Sequence, residues 1–204
     1  MTASTLTTWH QDININGRPY PTRTYVPDLD TDTAAFDLPQ VQVAYLSAIH
    51  EAGHAVVLLA RGGHIHHAEV LLGTFQHGEP DGRVDACGVR DGNMFAEFLA
   101  AGERATDRRL REMGLWTPYR GLVAETGAYA DRKKLLADNP DVGFGDKPVD
   151  YLLAHDMADT VLDAHWPAVL RVADALAHHH RLDGDTIATL AGLPNGPHHT
   201  PLHG

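Results

Sequence analysis

The sequence predicts a mainly helical α+β fold with a small β-sheet. Three observations lead there. From 41 to 60, Val41, Ala44, Tyr45, Ala48, Ala52, Ala55, Val56 and Leu59 recur at three- and four-residue spacing, the pattern of an amphipathic helix. Further helical stretches follow over 93–113, 118–136, 148–163 and 167–180, with a short one over 186–190. Between the first two helices lie two strand-like runs, 68–72 and 83–89, separated by glycine-rich sequence. The ends are marked as well. Gly62-Gly63 stops the first helix. Asn93 can cap the second, and Pro148 suits a first turn. Asp183-Gly184-Asp185 reads as a turn and cap.

Three regions result. Residues 1–40 read as an N-terminal extension and linker, 41–193 as one domain, and 194–204 as a flexible histidine-containing tail. In the extension, Ile13, Ile15 and the Asn16-Gly17 pair suggest a hairpin returning through Tyr20, Thr24 and Val26. Trp9, Trp116 and Trp166 read as packing residues.

Composition narrows the function. The 204 residues carry 16 Lys+Arg against 27 Asp+Glu, a net charge of −11, so phosphate-driven nucleic-acid binding is not expected. The longest strictly apolar run, 55–60, is far short of the ~20 residues of a membrane span. No Lys or Arg precedes Arg18 and no apolar core stands there, so a secretory signal is not expected. Cys87 is the single cysteine and leaves no internal disulfide. A cytoplasmic location is the expectation.

There are 15 histidines, but only seven glutamates, so a glutamate between histidines is informative. His50-Glu51-Ala52-Gly53-His54 is such a place, an HExxH motif inside the first predicted helix. Chance gives about 0.04 such motifs in a chain of this composition, which favours a real site. Residues i and i+4 share a helix face, so both imidazoles can converge on one Zn²⁺. Glu51 lies beside that face and can serve as general base toward a metal-bound water, then as acid toward a leaving amine. Gly53 costs about 1 kcal/mol relative to alanine in mid-helix, which makes sense where another backbone packs closely. The longer HExxHxxGxxH pattern is not met, because Val57 and Ala60 stand at its further positions. Glu69 and Glu79 are nearby carboxylates that could act as a third ligand.

The stretch Ala48-Ile49-His50-Glu51-Ala52-Gly53-His54-Ala55-Val56-Val57 resembles the peptidase domain of FtsH-type zinc metalloproteases. So do Gly121-Leu122-Val123-Ala124-Glu125, Asp150-Tyr151-Leu152-Leu153-Ala154 and the segment 176–187. The resemblance covers about 41–193 and implies a zincin-like peptidase domain. It implies one Zn²⁺ per chain, held by His50, His54 and the aspartate at a helix start, which here is Asp150. Asp146 and Asp156 are close rivals. Glu125 is either a partner of a zinc-bound imidazole or one half of an ion pair with Arg120 or Arg132.

The family's ATPase module is not matched, since no G-x-x-x-x-G-K-[ST] occurs. The expected activity is therefore that of a metalloendopeptidase acting on peptides or unfolded protein segments, as an oligomer or with a separate partner protein. Substrate could add as a strand along 68–72. A second oxyanion-stabilising group is sought among His64, His77 and His155. The alternative is an interaction protein that keeps the peptidase fold with zinc structural or absent. The histidine groups 64–67, 178–180 and 198–203 read as places for adventitious metal.

Overall fold

The structure is a computed structural model, described here for residues 8–15, 17–30, 34–71, 82–88, 92–148 and 150–198. Its elements run β1 (Asn14–Ile15), β2 (Arg18–Pro19), α1 (Gln40–Ala60), β3 (His64–Val70), β4 (Gly82–Cys87), α2 (Gly92–Glu112), α3 (Pro118–Gly127), α4 (Tyr129–Asp138), α5 (Tyr151–His179), β5 (Arg181–Asp183) and α6 (Gly184–Ala191). The mainly helical α+β expectation holds.

At the centre stands α1, packed against α2 and α5, with β3 and β4 also against it. Its residues from Leu46 to Leu59 are almost all buried, because apolar side chains occupy nearly every face. By length and composition α1 could cross a bilayer, although the longest unbroken apolar run did not suggest it. Yet 78% of its apolar window is buried inside the protein, as in a core helix. The close crossing with α2 depends on Gly53. A Cβ there would lie 2.7 Å from Ala105 Cβ and 2.8 Å from the Ala101 carbonyl oxygen. This is the close backbone approach that a mid-helix glycine implied.

Two of the expected helices differ from the sequence reading. The stretch 118–136 is two helices, broken at Ala128, whose N–H bonds back to Glu125 and Thr126 carbonyls. The stretches 148–163 and 167–180 are one long helix, α5, kinked where His165 takes φ −120°, just before Pro167. Asp150 caps α5 through Leu152 N–H at 2.7 Å, and Thr117 caps α3 through Arg120 N–H at 3.2 Å. α2, rather than the helix beginning at Pro118, is the first neighbour of α1; α3 packs on α2 instead.

The sheet is antiparallel with order β4-β3-β5. The short strand β5 was expected as a turn. It pairs His67 with Asp183 and Glu69 with Arg181. β3 is therefore covered on both sides, so the expected strand addition along 68–72 has no free edge over its described strand residues 68–70. A bulge at His66 resets the alternation of β3, which lets Ile65, Ala68 and Val70 all face the core. Glu69 faces outward, bound to Arg83 at 2.7 Å and Arg181 at 2.5 Å, and not toward the HExxH helix.

The N-terminal extension is built into the fold over its described residues. β1 and β2 pair antiparallel, as a hairpin requires. Ile13, Ile15 and Tyr20 are buried together with Leu122, and Trp9 sits edge-on to Phe144 at 5.3 Å. Ala34 and Phe36, in the stretch read as linker, are buried with Val43, Leu46 and Leu110.

Gly53→Ala is expected to destabilise the protein by about 1–3 kcal/mol despite alanine's better helix propensity, because the added methyl meets backbone. Urea denaturation of the two proteins measures this directly.

Candidate metal centre

His50 and His54 project from the same face of α1, one turn apart. Their rings meet with Nε2 atoms 3.0 Å apart. The carboxylate of Asp131 joins them, with Oδ2 3.2 Å from His50 Nε2 and 3.3 Å from His54 Nε2. Asp131 stands in the first turn of α4, where a carboxylate is favoured by the helix dipole.

Three donor atoms thus form a triangle with sides of 3.0, 3.2 and 3.3 Å. A tetrahedral zinc ion with bonds of 2.0–2.1 Å has donor–donor edges of about 3.3 Å. The described residues therefore present one face of such a tetrahedron, and the group can hold a metal ion. The rest of the geometry agrees. His54 Nδ1 lies 2.6 Å from the Phe98 carbonyl oxygen, which only accepts, so Nδ1 carries the proton and Nε2 is left for the ion. Clearance comes from Gly102 on α2, where a Cβ would lie 2.5 Å from both Nε2 atoms.

The electrostatics are those of a site waiting for positive charge. Burial opposes the charged form of His54, but Asp131 outweighs it and raises its pKa to about 9. Burial likewise opposes ionisation of Asp131, yet the neighbouring imidazoles hold its carboxyl far below the usual range. A divalent cation would displace the proton that now sits between these groups. Glu51 is buried beside them, and burial pushes its pKa up against the opposing pull of His50 and His54. Gly82, the first residue of β4, gives its carboxylate room: a Cβ there would meet Glu51 Oε1 at 2.7 Å.

Asp150, implied by the resemblance as third ligand, is not in this group. Its carboxylate caps α5 and accepts from the backbone N–H groups of Leu152 and Gly145. Of the rivals, Asp146 accepts from Phe144 N–H at 3.1 Å, and Asp156 lies exposed on α5. Glu79 and His77 lie outside the described residues.

Asp131 was missed because it falls inside the single helix read over 118–136, beside the basic run Arg132, Lys133 and Lys134. The available signal was Gly127, which permits a helix break and makes Asp131 a first-turn residue.

Arg132 is in fact buried and holds α4 in place. Its Nε and Nη2 donate to the two Glu103 carboxylate oxygens at 3.0 Å each, and Nη1 donates to the Pro21 carbonyl. Glu125 accepts from the N–H groups of Arg23 at 2.6 Å and Thr24 at 2.9 Å, with Arg132 Nη2 at 3.4 Å. Of its two expected roles, the ion pair with Arg132 is present, inside the protein and not on its surface. His155 is fully buried in the same network. Arg23 Nη1 donates to its Nδ1 at 3.2 Å, which keeps that nitrogen unprotonated, while Nε2 lies 2.5 Å from Glu103. His155 is thus engaged by Arg23 and Glu103 and is not among the residues that converge at His50, His54 and Asp131.

In comparisons with known proteins, no family model matches the chain and no curated protein is found similar to it.

Burial lowers the His155 pKa to about 4, although Glu103 pulls it upward. The unfolded chain binds this proton near pH 6.5 and the folded chain only near 4. Stability is therefore expected to fall between those values, by about 2 kcal/mol on going from pH 7 to pH 5. Denaturant titrations at the two pH values should show this loss in the wild type and a clearly smaller one in His155→Gln.

Proposed function

We propose that the chain is a zinc-dependent endopeptidase, with His50, His54 and Asp131 as ligands and Glu51 as the general base. The observation that carries this reading is the convergence of Asp131 on the two HExxH imidazoles, with Glu51 alongside. Zinc at such a site supplies Lewis acidity, lowering the pKa of a bound water and polarising a substrate carbonyl.

The residues of the chain provide the rest. Phe98 and Gly102 orient the imidazoles, one by accepting a proton's hydrogen bond and one by leaving space. Glu51 takes the proton of the attacking water on its carboxylate and returns it to the amine that leaves. Its position against Gly82 puts the start of β4 next to the reacting centre. Among the described residues β4 pairs on one side only, with β3. An extended peptide adding to its other edge would pass that centre, which moves the expected strand addition from β3 to β4.

This reading keeps the likeness to FtsH-type peptidase domains in the HExxH helix and departs from it in the third ligand. Its substrates would be peptides or unfolded segments, since an unfolding motor is not among the motifs of the chain.

Two measurements test it. In a His66→Ala background, which leaves this centre as the zinc site under test, Asp131→Asn is expected to bind zinc at least tenfold more weakly, whereas Asp150→Asn keeps it. Zinc retained by Asp131→Asn and lost by Asp150→Asn would return the third ligand to Asp150. Glu51→Gln should keep the metal and lose at least about 10²-fold in hydrolysis of a peptide that the wild type cleaves. Full hydrolysis by Glu51→Gln would end the peptidase reading and favour an interaction protein.

A further inference from the structure

A second convergence of histidines lies at the far end of β3 from Val70. His64 and His66 on β3 meet His198 of the C-terminal segment, with ligand atoms all within 4.8 Å of one another. Ring centroids are 4.9, 5.2 and 5.0 Å apart, each pair edge to face.

Nothing about this cluster is left to a loose tail. Asn195 uses its side-chain amide as a peptide would, accepting from Ile65 N–H at 2.8 Å and donating to the Ile65 carbonyl at 3.1 Å. Gly196 N–H then bonds the Gly63 carbonyl at 3.0 Å. A Cβ on Gly196 would lie 2.0 Å from the Gly62 carbonyl oxygen, so only glycine fits this approach. These contacts continue the sheet past the end of β5 and deliver His198 to β3. His66 lies two residues on from His64, so strand alternation sets both side chains on the outer face of β3.

The cluster also has the supporting bond expected of ligating imidazoles. His64 Nδ1 donates to the Gly196 carbonyl at 2.7 Å, which fixes the tautomer and leaves Nε2 as a lone-pair donor. The bond ties ligand orientation to the docked position of the C-terminal segment. Cys87 is paired with His64 in the strand register, yet its thiol is not part of the converging set. Three imidazoles with an open fourth position suit a borderline divalent ion such as Zn²⁺.

We propose that His64, His66 and His198 form a second zinc-class metal site that clips the C-terminal segment to the start of β3. The site is separate from the HExxH centre and does not depend on peptidase activity. The exposed His198 completes it by a side-chain rotation, so binding at this site fixes the segment around Gly196.

The full-length protein, His66→Ala, His198→Ala and His54→Ala are each equilibrated with micromolar free Zn²⁺, and metal per chain is counted by mass spectrometry. Hydrogen exchange of the segment around Gly196 is followed with and without zinc. His66→Ala and His198→Ala are each expected to bind one ion fewer than wild type. Zinc should slow exchange at Gly196 at least tenfold in wild type and in His54→Ala, but not in the other two variants. Full metal content in either His66→Ala or His198→Ala, or exchange at Gly196 insensitive to zinc, overturns the site. An ion lost only in His54→Ala would leave the peptidase reading standing and remove this one.

Discussion

Arg132 and Glu103 meet with both side chains almost fully buried, and the convergence of Asp131 on His50 and His54 follows from that contact. A buried ion pair is a poor source of net stability, because desolvating two charges offsets most of their attraction. Its value here is positional. The guanidinium is held by Glu103, by the Pro21 carbonyl and by the rings of Tyr20 and Tyr151, at 4.6 and 5.0 Å. Few other arrangements satisfy all those groups at once. Since Asp131 is the residue before Arg132, anchoring one side chain inward turns its neighbour toward His50 and His54.

α2 does two things with adjacent residues. Gly102 leaves space for the imidazoles, and Glu103 fixes the helix that brings the carboxylate. The HExxH helix and the carboxylate of Asp131 are therefore both referenced to one turn of α2. The N-terminal extension belongs to the same arrangement. Tyr20 donates to the Glu125 carbonyl, and the backbone of Arg23 and Thr24 satisfies the Glu125 carboxylate. Without those contacts a second buried carboxylate would stand beside Glu103 with little to balance it.

Much of this was legible in the sequence. The spacing from Val41 to Leu59 gave α1, and the HExxH motif gave two converging imidazoles. Gly53 announced a close helix crossing that Ala101 and Ala105 complete. What could not be read depends on contacts between distant segments. The periodicity of 118–136 runs on, and Gly127 alone hints at the break at Ala128 that the packing of α4 on α2 completes. Arg132 sits in a basic run and looks solvated, because composition does not say that Glu103 awaits it. Asp150 looked like a ligand for the same reason that it is a good cap, namely a carboxylate just ahead of a helix. The three residues of β5 carry no strand signal of their own, and β3 supplies their pairing.

The central position of α1 also governs the order in which the chain can fold. Its apolar surface is covered mainly by α2 and α5, and α5 ends at His179. A chain growing at about 5–20 residues per second needs roughly 6–24 s after α1 is made before its last partner emerges. During that interval the most hydrophobic helix of the protein lacks the cover of α5 and has only β3, β4 and α2 to shield it. The nascent chain thus presents a membrane-like segment that the finished fold conceals. The apolar surface of α1 is the chain's most exposed liability until α5 has been made.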